Sequence, residues 1–122
     1  MQQKKRAWTY CSIDAPEDVH DHLKGQKKEL FDYAEQMNFE IVGASQDIGG
    51  GLDFKRSGLM NVMKAASDGK FDVLLIKQLG CMRRNKSKNL EFFQELEQLG
   101  IIVFSPLEGE ISFSKLTRFS EL

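Results

Sequence analysis

The chain has 122 residues and a formal net charge of −1, with 29% charged and 41% hydrophobic residues. This length suits one domain with a single core, and this composition is typical of a folded globular protein rather than a disordered one. No hydrophobic run approaches the ~18 residues of a membrane-spanning helix, and the balanced charge argues against a domain that binds DNA through a wholly basic surface.

The N-terminal sequence and the cysteines favour a cytoplasmic location. The N-terminal Met-Gln-Gln-Lys-Lys-Arg runs directly into a predicted strand, unlike a secretory signal. Cys11 and Cys81 are too few for a disulfide framework, so we expect reduced, buried thiols. Neither a metal nor a cofactor is predicted.

Hydrophobic spacing predicts strands that alternate with helices. The expected strands cover residues 6–13, 39–44, 71–76 and 101–104, and the expected helices cover about 17–37, 59–66 and 90–99. Residues 71–76 are almost all hydrophobic, which is typical of a central parallel strand buried on both faces. This order predicts an α/β fold with three layers, in which helices cover both faces of a mostly parallel, flavodoxin-like sheet.

Several predictions concern the helices in particular. Gly69 and Gly100 stand where glycines end helices. A further helix is predicted to open at Ile111 and to be cut short by the end of the sequence. Hydrophobic residues expected in the core, or in part at an oligomer interface, are Phe31, Met37, Met60, Met63, Phe92 and Phe93, and Leu99 is expected on the buried helix face with Leu90, Phe93 and Leu96.

Polar residues follow three of the predicted strands at their carboxyl ends. Tyr10, Ser12 and Asp14 end the first strand, Asp47 with a glycine run and Arg56 follow the second, and a basic segment from Arg83 to Lys88 follows the third. The carboxyl ends of parallel strands meet at one edge of a sheet, where ligands bind. Arginines, acids and a glycine-rich turn at that edge suit a phosphate or a phosphodiester.

Seven short motifs along the chain resemble one known family, the serine site-specific recombinases of the resolvase/invertase type, in their N-terminal catalytic domain. The resemblance covers about residues 7–112. The motifs, in chain order, are Tyr10-x-x-Ile13, Leu23-x-x-Gln26, Asp47 with glycines, Arg56-Ser57-Gly58-Leu59, the segment 69–75, Leu79-x-x-Met82-x-Arg84-Asn85, and Leu96-x-x-Leu99-Gly100-Ile101.

The resemblance implies a serine nucleophile that attacks a DNA phosphodiester, and arginines that stabilise the developing charge. Matched to the family, the catalytic positions are Tyr10, Ser12, Asp14, Asp47, Arg56 and Arg84, and the phosphate- or DNA-binding positions are Arg56, Arg83, Arg84, Lys86 and Lys88. Asp14 occupies the nucleophile position and Ser12 an arginine position. Gly80 and Cys81 replace a further acid and arginine.

These substitutions predict impaired DNA cleavage. An anionic Asp14 repels a phosphate by about 4 kcal/mol at ~4 Å in an effective dielectric near 20, and loss of one transition-state donor typically costs ~10²–10³ in rate. The resemblance therefore implies a role in DNA recombination or integration as a regulatory or partner subunit, or as a remnant of a mobile element. Its expected partners are DNA, bound through a domain absent here, and recombinase-like subunits in a homo- or hetero-oligomer. We expect residues 1–122 to form one domain, truncated at the start of a C-terminal oligomerisation helix.

Other interpretations of the same residues remain open. Ser12, or residues supplied in trans, would make an active recombinase of unusual design. A phosphate-binding or phosphoacceptor module is the alternative from another class, although its acceptor is expected after the third strand, where Gly80 stands. Asp14 also has the capping-box spacing to Glu17. Asp47 is expected either to pair with Arg56 or Arg84 or to contribute to phosphate binding.

Overall fold

The computed structural model describes residues 4–13, 19–48, 57–77 and 93–111. Within these ranges the chain forms five strands and two helices, and residues 93–98 are also helical. The elements are β1 (Lys5–Ile13), α1 (Val19–Gln36), β2 (Phe39–Ile48), α2 (Ser57–Ser67), β3 (Val73–Leu75), β4 (Ile102–Ser105) and β5 (Gly109–Ile111).

The five strands form one sheet in the order β2-β1-β3-β4-β5. β1 to β4 run parallel, and β5 returns antiparallel beside β4. β3 lies in the middle, and all three of its residues are buried. The predicted α/β fold with a mostly parallel sheet is therefore confirmed, as is the assignment of the hydrophobic run to a central strand.

Successive residues of β3 point to opposite faces of the sheet, and each face has its own core. On one face, Leu30 and Ala34 of α1 pack in a cluster with Val73 and Leu75. On the other face, α2 and the helical segment 93–98 pack in a cluster that includes Leu74. Helices cover both faces, which gives the predicted three layers.

Two helices end at the predicted glycines. Gly69 has φ +70°, and the amide of Lys70 donates to the carbonyl of Ala65 (3.0 Å). Gly100 has φ +79°, and the amide of Ile101 donates to the carbonyl of Leu96 (2.9 Å). A residue with left-handed backbone, followed by an amide that donates to the carbonyl five residues earlier, forms a Schellman motif. Glycine at the left-handed position avoids the strain that a Cβ would cause.

The predicted start of a helix at Ile111 is wrong, and the remainder of that predicted segment, residues 112–122, lies outside the described residues. Ile111 belongs to β5, pairs with Val103 and is buried. Strand β2 continues to Ile48, beyond the predicted end at residue 44. β5 was missed because three residues are too few to show a hydrophobic period. Its pairing with β4 stabilises it more than its own sequence does.

Some hydrophobic residues expected in the core are exposed. Phe31, Met37 and Met60 are each at least one-third exposed, whereas Phe93 is buried and Met63 packs against the core. Leu99 is also exposed, because it follows the helical segment 93–98 in the turn. None of the described helices is long and hydrophobic enough to cross a membrane.

Strand β2 contains an irregularity that decides which side chains face the site. Ala7 pairs with Ile41, but the next residue of β1, Trp8, pairs with Gly43. Val42 is the extra residue, so β2 has a bulge at this point, which is unusual in a parallel pair. Before the bulge, Phe39 and Ile41 pack against the core on the α1 face. After it, the odd-numbered residues Ser45 and Asp47 face the opposite side of the sheet, which α2 covers.

Two side-chain hydrogen bonds show the effect of the bulge. The Trp8 Nε1–H donates to Ser45 Oγ (2.9 Å), and the Tyr10 hydroxyl donates to Asp47 Oδ2 (2.7 Å). The ring of Trp8 packs so closely over the neighbouring strand that a Cβ at Gly43 would lie 2.2 Å from it. The bulge thus turns the side chains of Ser45 and Asp47 toward the face of the sheet that α2 covers.

An ion pair at the opposite, amino-terminal edge of the sheet makes the stability pH-dependent. Arg6 binds Asp72 with both ends of its guanidinium, at 3.1 and 3.2 Å. This hydrogen bonding lowers the pKa of Asp72 below its ordinary value of 3.8. The pair is about half exposed, so its contribution to stability is small.

We expect Asp72→Asn to unfold more easily than wild type at neutral pH. Because the folded-state pKa of Asp72 is lowered, the stabilisation is fully present above the unfolded-state pKa and disappears as the pH falls through the folded-state pKa. Urea unfolding of both proteins along an acid titration measures this difference. A gap that stays constant into strong acid would contradict the assignment to Arg6 and Asp72.

Candidate functional site

Asp47, at the carboxyl end of β2, accepts three hydrogen bonds in a buried setting. The Tyr10 hydroxyl donates to Oδ2 (2.7 Å), the Gly58 amide donates to Oδ1 (2.6 Å), and the Leu59 amide donates to Oδ2 (2.9 Å). Asp47 is 3% exposed and Tyr10 is fully buried. The carboxylate therefore joins β1, β2 and α2 at the edge where the parallel strands end.

The two amide bonds make Asp47 a cap for the N-terminus of α2. The first amides of a helix have no partner inside the helix, and a carboxylate there satisfies them and interacts favourably with the helix dipole. A usual N-cap stands directly before the helix, but Asp47 lies 11 residues before Gly58. The contact is therefore tertiary, and it fixes the position of α2 relative to the sheet.

Gly58 permits this close approach of the helix to the strand. A Cβ at this residue would lie 2.3 Å from the carbonyl oxygen of Gln46, 2.7 Å from its carbonyl carbon and 3.0 Å from the Asp47 carboxyl carbon. Backbone atoms cannot move aside as a flexible side chain can. Only glycine therefore allows the Gly58 amide to reach the carboxylate at 2.6 Å.

The site residues predicted from the sequence fall into two groups. Tyr10 and Asp47 lie in direct contact, which agrees with the predicted meeting of the first two strand ends. Ser12 pairs in register with Asp47 across β1 and β2. Positions that lie outside the described residues are Asp14, Arg56, Arg83, Arg84, Lys86 and Lys88, so their predicted roles stay predictions.

The sequence reasoning missed the backbone partners of Asp47. The expected partners were Arg56, Arg84 or a phosphate, whereas in the described residues the carboxylate binds the Tyr10 hydroxyl and the amides of Gly58 and Leu59. The glycine in Arg56-Ser57-Gly58-Leu59 was the available signal, since a glycine at a helix start indicates a close backbone approach.

This geometry gives Asp47 an orienting role. A carboxylate can accept about four hydrogen bonds, and the Asp47 carboxylate already accepts three. By accepting a hydrogen bond from the Tyr10 hydroxyl, Asp47 also orients the phenol oxygen near the end of β1. The arrangement holds a strand end and a helix start rigidly, which is a condition for any site built on them.

Comparison with known structures shows the same fold in recombinases. A resolvase family site-specific recombinase from Streptococcus pneumoniae aligns with a TM-score of 0.81 and 22% identity, covering 97% of this chain and 87% of that one. The N-terminal catalytic domain of TP901-1 integrase aligns with a TM-score of 0.82 and 19% identity, covering 96% and 95%. The C-terminal catalytic domain of ISC1926 TnpA, an IS607-like serine recombinase, aligns with a TM-score of 0.72 and 21% identity, covering 94% and 77%.

Sequence comparison gives the family itself. The search of curated protein sequences found no match. The family model for the resolvase N-terminal domain, in contrast, matches residues 12–119, which is most of the chain. Together with the parallel sheet and the strand ends that meet at Asp47, this match shows that the chain belongs to the resolvase N-terminal domain family.

Proposed function

We propose that this chain is a recombinase-type domain of site-specific DNA recombination whose own DNA cleavage is impaired, and that it acts as a regulatory or partner subunit or is a remnant of a mobile element. The observation that carries the proposal is a contrast within one edge of the sheet. The buried contact between Tyr10, Asp47 and α2 is intact. The nucleophile position holds Asp14 and an arginine position holds Ser12.

This contrast separates the scaffold from the chemistry. The Asp47 network orients a strand end and a helix start, and neither needs a nucleophile. Cleavage needs an activated serine and cationic donors around the phosphate. An aspartate at the nucleophile position adds negative charge where the phosphate would bind. Binding to DNA and to recombinase-like subunits is compatible with this loss, whereas strand transfer by the isolated chain is not.

The test is a search for a covalent protein–DNA intermediate with the native-length protein. The protein is incubated with a fragment library of its host DNA, denatured, and assayed for DNA that remains attached. We expect no adduct from wild type and none from Ser12→Ala. An adduct from wild type that disappears in Ser12→Ala would overturn the proposal in favour of an active enzyme that uses Ser12.

A restoration experiment makes the test sharper. We expect Asp14→Ser alone to yield little or no adduct, since the arginine positions at Ser12 and Cys81 remain substituted. The variant that combines Asp14→Ser with Ser12→Arg, Gly80→Asp and Cys81→Arg is expected to form more adduct than either wild type or Asp14→Ser alone. Efficient cleavage by wild type in the presence of an active recombinase subunit would instead indicate that catalytic residues are supplied in trans.

A further inference from the structure

The outer side of helix α1 carries charges that change sign around one exposed aromatic ring. Phe31 is 41% exposed, whereas its neighbour Leu30 is buried in the core on this face of the sheet. Three exposed lysines precede the ring and two exposed acids follow it, namely Lys24, Lys27, Lys28, Asp32 and Glu35. We call Phe31 and these five residues the α1 stripe.

The helical period places the stripe on one side of α1. At about 100° per residue, four of the charged residues lie within about 60° of Phe31 round the helix axis, namely Lys24, Lys27, Lys28 and Glu35. Asp32 lies about 100° from Phe31, at the border of this side. Glu29 is exposed as well, but it lies about 160° from Phe31 and therefore faces away from the stripe.

The charges of the stripe are not used inside the chain. Within the described residues the ion pair is the one between Arg6 and Asp72, and none of the stripe residues takes part in it. Lys27 lies over the ring of Phe31, with its Nζ 5.9 Å from the ring centre. Such a contact is weak at an exposed site, so the lysines and acids of the stripe remain able to bind a partner.

The order of these charges does not stabilise α1 itself. The helix dipole favours acids in the first turn and cations in the last turn, and an acid four residues before a lysine pairs better than the reverse order. In α1, Glu35 lies in the last turn, which has no basic residue, and Lys28 stands four residues before Asp32. A partner outside the chain explains this order better than helix stability does.

We propose that the α1 stripe binds the α1 stripe of a second copy of this chain, with the two helices antiparallel about a two-fold axis at Phe31. Lys27 and Glu35 stand four residues before and four residues after Phe31. Antiparallel pairing therefore places Lys27 of each copy opposite Glu35 of the other, and the two rings meet at the axis, where they bury hydrophobic surface. Parallel pairing would place lysines opposite lysines.

The neighbouring edge of the sheet permits the approach of a second copy. β2 is the outermost strand on this side, and its residues Ala44 and Gln46 line one depression together with Lys27, so the stripe borders this edge. Residues 41–46 of β2 carry no charge, and Val42 is 41% exposed. Edge strands that avoid pairing usually carry charges, and this stretch has none to repel a second copy.

This contact goes beyond the proposed function and does not rest on it. The stripe belongs to α1, which packs on the opposite face of the sheet from α2 and its Asp47 cap. It also differs from the C-terminal segment in which the family resemblance places an oligomerisation helix. The contact needs neither DNA nor a nucleophile.

Sedimentation equilibrium of the purified protein at low ionic strength measures the association. We expect a monomer–dimer equilibrium that weakens as salt is added, because exposed charge pairs are screened. Lys27→Glu and Glu35→Lys should each raise the dissociation constant of the dimer by about tenfold, since each places like charges opposite each other twice. Phe31→Ala should weaken the dimer by a similar factor. Glu29→Lys is the matched control on the far side of α1, and it should dimerise as wild type does.

A mixture of the two charge variants gives the decisive measurement. When Lys27→Glu is mixed with Glu35→Lys, both contacts of the heterodimer again join opposite charges, so the mixture should associate about as tightly as wild type. The double variant Lys27→Glu/Glu35→Lys should recover as well. Recovery in either case shows that the single variants are folded and that the two positions face each other.

Three results would overturn the proposal. The first is a wild type that stays monomeric up to its solubility limit. The second is an association that both single variants leave unchanged, which would place the interface elsewhere in the chain. The third is a mixture that associates no better than its two components do alone. None of these results bears on whether the chain cleaves DNA, so this proposal and the proposed function can fail separately.

Discussion

Asp47→Ala is expected to lower the free energy of unfolding by about 3–5 kcal/mol, a large share of the stability of a small domain. The substitution removes the acceptor of three hydrogen bonds and leaves the Tyr10 hydroxyl and the amides of Gly58 and Leu59 without it. Water reaches these groups poorly, because Asp47 and Tyr10 are buried. Urea unfolding followed by circular dichroism measures the loss.

Three further variants divide this loss among its causes. Tyr10→Phe removes only the hydroxyl and should cost about 1 kcal/mol. Asp47→Asn keeps one carbonyl acceptor and should cost less than alanine, because asparagine also caps helices. Asp68→Ala replaces an exposed acid near the other end of α2 and should change stability by less than about 0.5 kcal/mol. Equal losses for Asp47→Ala and Asp68→Ala would contradict the assigned role of Asp47.

Gly58→Ala is expected to destabilise the fold by about 2–4 kcal/mol, even though alanine is the better helix former. The added Cβ would collide with the Gln46 backbone at 2.3 Å. Relief of that collision moves α2 away from β2 and lengthens the bond between the Gly58 amide and Asp47. The unfolding midpoint in urea measures the change in stability.

Gly25→Ala provides the matched control, since Gly25 also lies in a helix. Nothing lies within 4 Å of the Cβ that this change adds, so it should stabilise the protein by about 0.5–1 kcal/mol. The two glycine substitutions therefore have opposite expected signs. A stabilising Gly58→Ala would show that α2 does not approach β2 as closely as described.

The sequence predicted correctly those elements whose own residues show a hydrophobic pattern or a helix-ending glycine. The run at residues 71–76 indicated a buried central strand, and the structure has β3 there with every residue buried. Gly69 and Gly100 indicated helix ends, and both have positive φ. The meeting of Tyr10 and Asp47 was predictable because parallel strands place their carboxyl ends at one edge.

Features that depend on distant partners were not predictable. The cap on α2 joins residues 11 positions apart, so no local motif marks it. Phe31 follows the buried Leu30 in α1, yet it lies about 100° further round the helix and is exposed. β5 is stabilised by its pairing with β4, which residues 109–111 alone do not indicate.

The bulge in β2 has a consequence for how related sequences should be aligned. Val42 is the one residue of this strand that has no counterpart in the register with β1. A relative that lacks it would keep Gly43, Ser45 and Asp47 on the same side of the sheet, because every other pair is unchanged. A gap of one residue between Gly43 and Asp47 would instead turn the carboxylate away from Tyr10. The length of this strand can therefore vary by one residue at position 42, but not in the stretch that follows it.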